Sequence, residues 1–187
     1  MLNAAAKLFG TQRFHEVRME DIANKALVGK GTIYRYFKDK EELYSALLKR
    51  SGEQLIERLH EASSGAGTPR GKLEAVAGAI IAFFDEQPHL FDLIQRSEVL
   101  HRPGAPFSWQ PTREEVVHLV RGLLDDDENN GEFTIRDPDI MALMLLGGLR
   151  SVILRGPRPR SPDLGKQIVT AFLNGALVSR PAAGLSQ

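Results

Sequence analysis

Apolar positions recur along the chain at three- and four-residue spacing, and no useful length shows strict alternation. That periodicity predicts helices throughout and no sheet. Leu2, Ala5, Ala6 and Phe9 fall at i, i+3, i+4 and i+7, and Gly10 can end this first helix. Met19, Ile22, Ala23 and Ala26 form a short second stripe, and Ile33 with Phe37 a third on the very short segment 30–37. Asp39 and Glu42 have the spacing of a capping box. It opens a long helix to about Ala62, carried by Leu43, Leu47, Leu48, Leu55, Ile56 and Leu59. The small-residue stretch Ser63–Pro69 predicts a loop or linker. Helices are then expected from about Lys72 to Glu86, from His89 to His101, and from Thr112, boxed with Glu115, to Leu124. Asp137 before Pro138 predicts a capped start for a helix to Arg155, and a last helix runs from Ser161-Pro162 to about Ser179. Asp125–Gly131 reads as an acidic turn. The expectation is an all-α chain of about nine helices without an internal repeat.

Composition narrows the picture. With 187 residues, 42% of them apolar and 26% charged, the chain suits one large or two small globular domains. It has no cysteine, which excludes a disulfide framework, a thiolate metal site, an iron–sulfur cluster and a Cys nucleophile. The longest apolar run, Ile140–Leu149, falls far short of the ~20 residues of a membrane span. No basic region precedes an apolar run at the amino end, so a secretory signal is not expected and a cytoplasmic location is. The formal net charge is zero, yet residues 1–50 hold ten Lys/Arg against six Asp/Glu, leaving the remainder acidic by the same margin. A basic segment joined to an acidic one fits a chain of which one part meets a polyanion.

That basic segment has the layout of a helix-turn-helix module: three short helices, then a long capped one. Leu27-Val28-Gly29 has the length of the turn, with Val28 plugging the core between the second and third helices. On the third helix only Ile33 and Phe37 need face inward, which leaves Lys30, Thr32, Tyr34, Arg35 and Tyr36 distributed over the exposed sides. Lys and Arg can donate to guanine edges, Thr and Tyr hydroxyls can bind phosphate, and Gly31 clears a place where DNA could approach the backbone. The same composition also suits a solvated helix face with two half-buried aromatics, and the residues alone do not choose.

The stretch from Asp21 to Leu43, Asp-Ile-Ala-Asn-Lys-Ala-Leu-Val-Gly-Lys-Gly-Thr-Ile-Tyr-Arg-Tyr-Phe-Lys-Asp-Lys-Glu-Glu-Leu, resembles the amino-terminal signature of the TetR family of bacterial transcriptional regulators. The match covers roughly residues 2–50. The resemblance implies a DNA-binding domain over residues 1–45. It further implies a helical domain over 46–187 that binds a small molecule and dimerises through its last two helices. By position, Thr32, Tyr34 and Lys40 match the family's phosphate contacts, and Lys30, Gly31, Arg35 and Tyr36 match positions that reach base edges. Most members are repressors released by ligand. The chain departs from the pattern in three places. Leu27 stands where the family has a turn glycine and the glycine has moved to position 29, so a left-handed turn at Leu27 carries strain of about 1–2 kcal/mol and a re-shaped turn is the expected relief. Arg18 replaces the usual Thr or Ser cap, so the second helix is expected to fray at its start. A basic arm ahead of the first helix is not expected.

In the second half, a helix as apolar all round as Ile140–Leu149 must be buried on every side. Its own domain can cover one face, and the other calls for a second subunit. The last helix carries a stripe of Leu164, Ile168, Ala171, Phe172 and Gly175. The expected homodimer pairs these two helices from each chain in a four-helix bundle, with Ile140, Leu143, Met144, Gly147, Leu164, Ile168, Phe172 and Gly175 at the interface. A well-buried intrachain core is the alternative. Pocket candidates are Phe83, Phe84, Phe91, Ile94, Phe107 and Trp109, with His89, Gln95, His101 and His118 as polar partners, which suggests an apolar or aromatic small-molecule effector.

No P-loop, dinucleotide fingerprint or His-Glu-x-x-His occurs, and the five histidines show no helical metal pairing. No enzyme activity, cofactor or metal is expected. The sequence therefore predicts a homodimeric, ligand-responsive regulator of double-stranded DNA operators with no membrane partner. The alternative is a helical small-molecule binding protein without functional DNA binding. A helical enzyme using the same cavity is the least favoured reading.

Overall fold

The structure, a computed structural model, describes residues 1–65, 67–100 (backbone alone at 96–100), 108–125 and 135–174. Among the described residues the chain forms nine helices and no strand. They are α1 (Leu2–Thr11), α2 (Met19–Lys25), α3 (Lys30–Tyr36), α4 (Lys40–Gly65), α5 (Pro69–Glu86), α6 (Pro88–Leu100), α7 (Gln110–Leu124), α8 (Pro138–Arg155) and α9 (Leu164–Asn174). His101, Phe107, most of the acidic turn and Gly175 lie outside the described residues, as does the expected extension of the last helix to Ser179.

Several helix starts follow the local chemistry of the chain. Asp137 accepts from the Ile140 N–H (3.0 Å) with Pro138 in the first turn of α8. Asp39 accepts from the Glu42 N–H (2.8 Å), while the Glu42 carboxylate takes the Lys38 N–H (2.6 Å), so the box closes one residue earlier than its usual form. Four starts differ from expectation, the last helix opening at Leu164 rather than at Ser161-Pro162. The Asp21 carboxylate accepts the Arg18 N–H (3.0 Å) and secures the first turn of α2, which was expected to fray. Thr68 caps α5 through the Gly71 N–H (3.0 Å), with Pro69 in the first turn, so α4 and α5 take up four of the seven residues of the expected linker. Helix α7 begins at Gln110 because Pro111 presets the first-turn dihedral. Thr112, expected as the cap, is instead inside the helix and buried against Gly52 of α4, where an added Cβ would collide with Thr112 Oγ1.

The amino-terminal core is built from Ala5, Phe9, Val17, Ile22, Ile33 and Leu43, all essentially inaccessible to solvent. Each of these side chains larger than alanine contributes about 1.5–3 kcal/mol. The core continues along α4 through Leu48, Leu55 and Leu59 into the remaining helices, where Leu73, Val76, Val120, Leu124, Leu149 and Val169 meet. Helix α4 therefore belongs to both halves. It is tied to α5 by the two-pronged Arg58–Glu86 pair (2.9 and 3.1 Å). Helix α9 lies directly on α5 at Gly165, against the backbone of Gly78. At the end of α8, the buried Arg160 guanidinium donates to the carbonyls of Val152 (2.8 Å) and Ile153 (2.9 Å) and to the Asp85 carboxylate. These bonds satisfy acceptors that a helix end leaves open.

The turn between α2 and α3 is not re-shaped as expected but carries the strain. Leu27 adopts φ 56° and is 93% exposed. The nearby Gly29 has an ordinary extended conformation, so the glycine does not occupy the left-handed position. Leu27→Gly removes strain of about 1–2 kcal/mol and sacrifices no packing. The added freedom of the unfolded chain offsets about 0.5–1 kcal/mol. We expect a net gain of up to about 1 kcal/mol, read as a higher urea midpoint; an unchanged or lower midpoint would mean that Leu27 is not strained.

Candidate nucleic-acid interface and internal cavity

Helix α3 buries Ile33 fully and half-buries Thr32, with Phe37 half-buried just beyond its end. Lys30, Gly31, Tyr34, Arg35 and Tyr36 are exposed. The two-residue inward face thus leaves one continuous outward surface of cations, hydroxyls and aromatic rings. It is ordered by its own contacts. Lys30 Nζ pairs with Glu20 Oε1 of α2 (2.7 Å) and lies 5.9 Å from the Tyr34 ring, and the Arg35 guanidinium lies 5.3 Å from the Tyr36 ring. The Lys30 hydrogen bond holds the Glu20 carboxyl below its ordinary range, and Glu20 raises the Lys30 ammonium in return. A Cβ on Gly31 would meet nothing within 4 Å.

Lys40, expected at DNA phosphate, is turned inward. Its ammonium donates to the carbonyls of Phe14 (2.5 Å) and Val17 (2.9 Å) and sits 4.4 Å from the Phe14 ring. It ties the α1–α2 connection to the start of α4. Lys40→Met should leave both carbonyls short of a donor and destabilise the protein by about 1–3 kcal/mol, read by thermal denaturation. The salt dependence of DNA binding should stay unchanged; a slope reduced by about 0.9 would restore Lys40 as a phosphate contact.

Behind Lys40, Phe9, Phe14 and Tyr44 form an aromatic triad with ring centroids 5.2–5.4 Å apart. The Tyr44 hydroxyl donates to the Leu93 carbonyl of α6 (2.7 Å). Gly10 at the end of α1 is pressed against His89 of α6. Sequence reasoning missed Phe14, which lies between Arg13 and His15 outside any helical stripe, and Tyr44, whose hydroxyl partner lies far along the chain.

Helix α6 also walls a cavity of about 550 Å³ that is open to solvent. Its lining includes Leu55 of α4, Ile80 and Phe84 of α5, Phe91, Ile94 and Gln95 of α6, and Trp109 beside α7. Gln110, Arg113, Val116 and Val117 of α7 and Leu143, Leu146, Gly147, Leu149, Arg150 and Ile153 of α8 complete it. Phe84 packs edge-on to Phe91 (4.9 Å) and 6.5 Å from Trp109. Of the residues expected around a pocket, Phe84, Phe91, Ile94, Gln95 and Trp109 line this cavity. Phe83 does not: it is buried beside Phe84 and faces the Arg58 guanidinium at 5.9 Å. His118 is exposed on α7 and also lies outside the lining, and His89 serves the α1–α6 contact instead.

Arg113 and Arg150 escaped the sequence reading. Each shares a face with apolar lining residues, Arg113 with Val116 and Val117, Arg150 with Leu146 and Gly147, at the i, i+3, i+4 spacing that could have revealed them. Burial pushes the Arg113 guanidinium down, and the neighbouring Arg150 charge acts in the same direction.

Helix α8 buries Ala142, Leu145, Leu149 and Ile153 within the chain. Its other side is bare: Ile140, Leu143 and Met144 are 55%, 59% and 61% exposed, and Leu154, Gly147 and Gly148 are exposed beside them. Burial on every side is thus not achieved by one chain. On α9, Leu164, Ile168 and Phe172 are half-buried and pack against the core of their own chain.

Residues 1–47 match the model of the family described as bacterial regulatory proteins, tetR family. The amino-terminal quarter of the chain belongs to this family. It is 27% identical over 127 residues to the HTH-type transcriptional activator FasR of Mycolicibacterium smegmatis, a match spanning 68% of this chain and 58% of that protein. It is 36% identical over 76 residues to the fatty acid metabolism regulator protein of Bacillus subtilis, covering 41% of this chain and 39% of that protein. Among solved structures, the transcriptional regulator FadR from Bacillus subtilis in complex with stearoyl-CoA superposes with a TM-score of 0.77 at 22% identity, over 93% of this chain and 96% of that one. These relatives are transcriptional regulators. Among the described residues no helix is long and apolar enough to cross a membrane.

Proposed function

We propose that this TetR-family protein is a homodimeric, sequence-specific DNA-binding repressor that a small apolar effector releases from its operator. Residues 1–45 read DNA; residues 46–187 bind the effector and pair the chains. The observation that carries the reading is the outward surface of α3. Lys30, Arg35 and Tyr36, with Gly31 between them, face the base edges, and Thr32 and Tyr34 hold phosphate. Gly31 supports it from another direction. A helical glycine costs about 0.5–1 kcal/mol relative to Ala, and no neighbour within the chain requires one there. The open space beside Gly31 leaves room for DNA to approach the backbone.

Two reading helices must span half-sites about 34–36 Å apart, which needs two chains. The bare apolar stripe of α8, from Ile140 to Leu154, supplies the pairing surface, with α9 completing the four-helix bundle. The apolar cavity accommodates an acyl-type effector, in keeping with the relatives that regulate fatty acid metabolism or hold stearoyl-CoA. An effector acts only if it binds one arrangement of the reading heads better than the other. Three contacts give it leverage: Leu55 puts α4 in the cavity wall, Tyr44 bonds α4 to α6, and His89 of α6 abuts Gly10 of α1.

Arg35→Ala tests the assignment. With a bidentate base contact it should cost about 1–3 kcal/mol on the preferred operator and relax sequence preference at one position. Binding to non-operator DNA should change little. Unchanged preference in a competition assay would remove Arg35 from the base readers.

A further inference from the structure

Helix α2 opens on two acids that are used differently. Asp21 accepts the Arg18 N–H and secures the first turn. Glu20 instead reaches across to α3, where its carboxylate pairs with Lys30 Nζ at 2.7 Å. Lys30 is the first residue of the outward surface of α3, and the Tyr34 ring 5.9 Å from its ammonium steers it from a second side. Both partners remain open to solvent, Glu20 over 39% and Lys30 over 66% of the side chain. On grounds of charge a carboxylate is out of place here. This surface meets a polyanion, and the first helix of a helix-turn-helix crosses the phosphate backbone, which repels Glu20. As a stabiliser of the fold, an exposed pair of this kind contributes little.

The pair sets one acceptor and one cationic donor side by side, a hydrogen-bond length apart. A G·C base pair shows the complement of that pattern in the major groove. Cytosine N4 donates, guanine O6 and N7 accept, and N4 and O6 are themselves joined by a hydrogen bond of about 2.9 Å. Set edge to edge, the ammonium donates to O6 and N7 while the carboxylate accepts from N4. We propose that Glu20 and Lys30 act as one reading unit for a single G·C pair in each half-site, Glu20 on the cytosine and Lys30 on the guanine. The inference rests on the reading of DNA by α3. It adds a residue of α2 and one defined base pair. An A·T pair also sets a donor beside an acceptor, but thymine offers the ammonium only O4, next to its methyl group. The carboxylate has a second effect. It offsets one positive charge, which weakens attraction to any phosphate backbone and widens the gap between operator and other DNA.

Bound duplexes are selected from a random pool with the full chain as wild type, Glu20→Ala and Lys30→Ala. Neither side chain belongs to the buried core, so both variants should fold. The wild-type consensus should hold G·C at one position per half-site, where A·T in its place weakens binding about 5- to 150-fold. Both variants should lose preference at that one position and keep it elsewhere. Glu20→Ala should also bind non-operator DNA more tightly, with a salt dependence steeper by about 0.9 as Lys30 turns to a phosphate. Wild-type preference at every position in the Glu20→Ala pool overturns the pair while leaving α3 as the reading helix. Loss of preference at different positions in the two variants does the same, as does a shared position that holds A·T. An unchanged salt dependence in Glu20→Ala takes the carboxylate away from the duplex and also overturns it. A wild-type pool with no enriched sequence defeats the α3 reading itself, and the pair with it.

Discussion

Met144→Glu should make the protein monomeric and lower its operator affinity by about 10²- to 10⁴-fold, the range in which a second linked binding event contributes to avidity. Met144 is the most exposed apolar side chain of the α8 stripe, flanked by Leu143 and, one turn away, by Ile140 and Gly147. In a twofold pair the new carboxylate enters the interface twice, once from each chain. Desolvating an unpaired carboxylate costs several kcal/mol, more than a marginal association can absorb. The side chain makes no part of the intrachain core, so the helical circular dichroism should be unchanged. That makes it a cleaner probe than Phe172, which packs against its own chain and would confound pairing with folding. Sedimentation should give the mass of one chain; a persistent dimer would move the interface off α8.

The second large effect concerns stability. A Cβ on Gly165 would stand 2.5 Å from the Gly78 nitrogen, 2.7 Å from its Cα and 3.1 Å from the Glu74 carbonyl oxygen. All three are backbone atoms of α5, with no rotamer that could move aside. Gly165→Ala must therefore lift α9 off α5, and overpacking of this kind costs about 1–3 kcal/mol or more. For a domain of this size each kcal/mol lowers the melting temperature by about 2–4 °C. The contact is asymmetric. A Cβ on Gly78 meets nothing within 4 Å, so Gly78→Ala should be neutral or stabilising by up to about 1 kcal/mol through helix propensity. Opposite signs at the two glycines of one crossing constitute the test, and two equally mild variants would contradict the close approach.

The parts of the fold that were legible in the sequence are those fixed by neighbours a few residues away. Asp137 and Pro138 determine the start of α8 by themselves, and the stripe Leu43–Leu59 determines α4. The left-handed turn at Leu27 was readable only through the family resemblance, which has a glycine at that position. Proline overrode weaker local signals at two starts, placing α5 at Pro69 and α7 at Gln110. Features decided by distant chain segments were not readable. The carbonyls that draw Lys40 inward lie 26 and 23 residues before it, and only folding brings them to its ammonium. Thr112 looked like a cap until Gly52 supplied a slot for it. Phe84, Phe91 and Trp109 of the cavity wall were among the aromatics the sequence offered, whereas Arg113 and Arg150 were not. A charged residue at helical spacing reads as solvated until the facing helix is in place.

The central claim is that paired α3 helices enter successive turns of one groove of a duplex. Selection of bound DNA from a random pool, using the full chain at near-physiological salt, tests it most directly. The account predicts enrichment of an inverted repeat whose half-site centres are separated by about 10 base pairs or a multiple of that. A pool that emerges from selection with no enriched inverted repeat would contradict it.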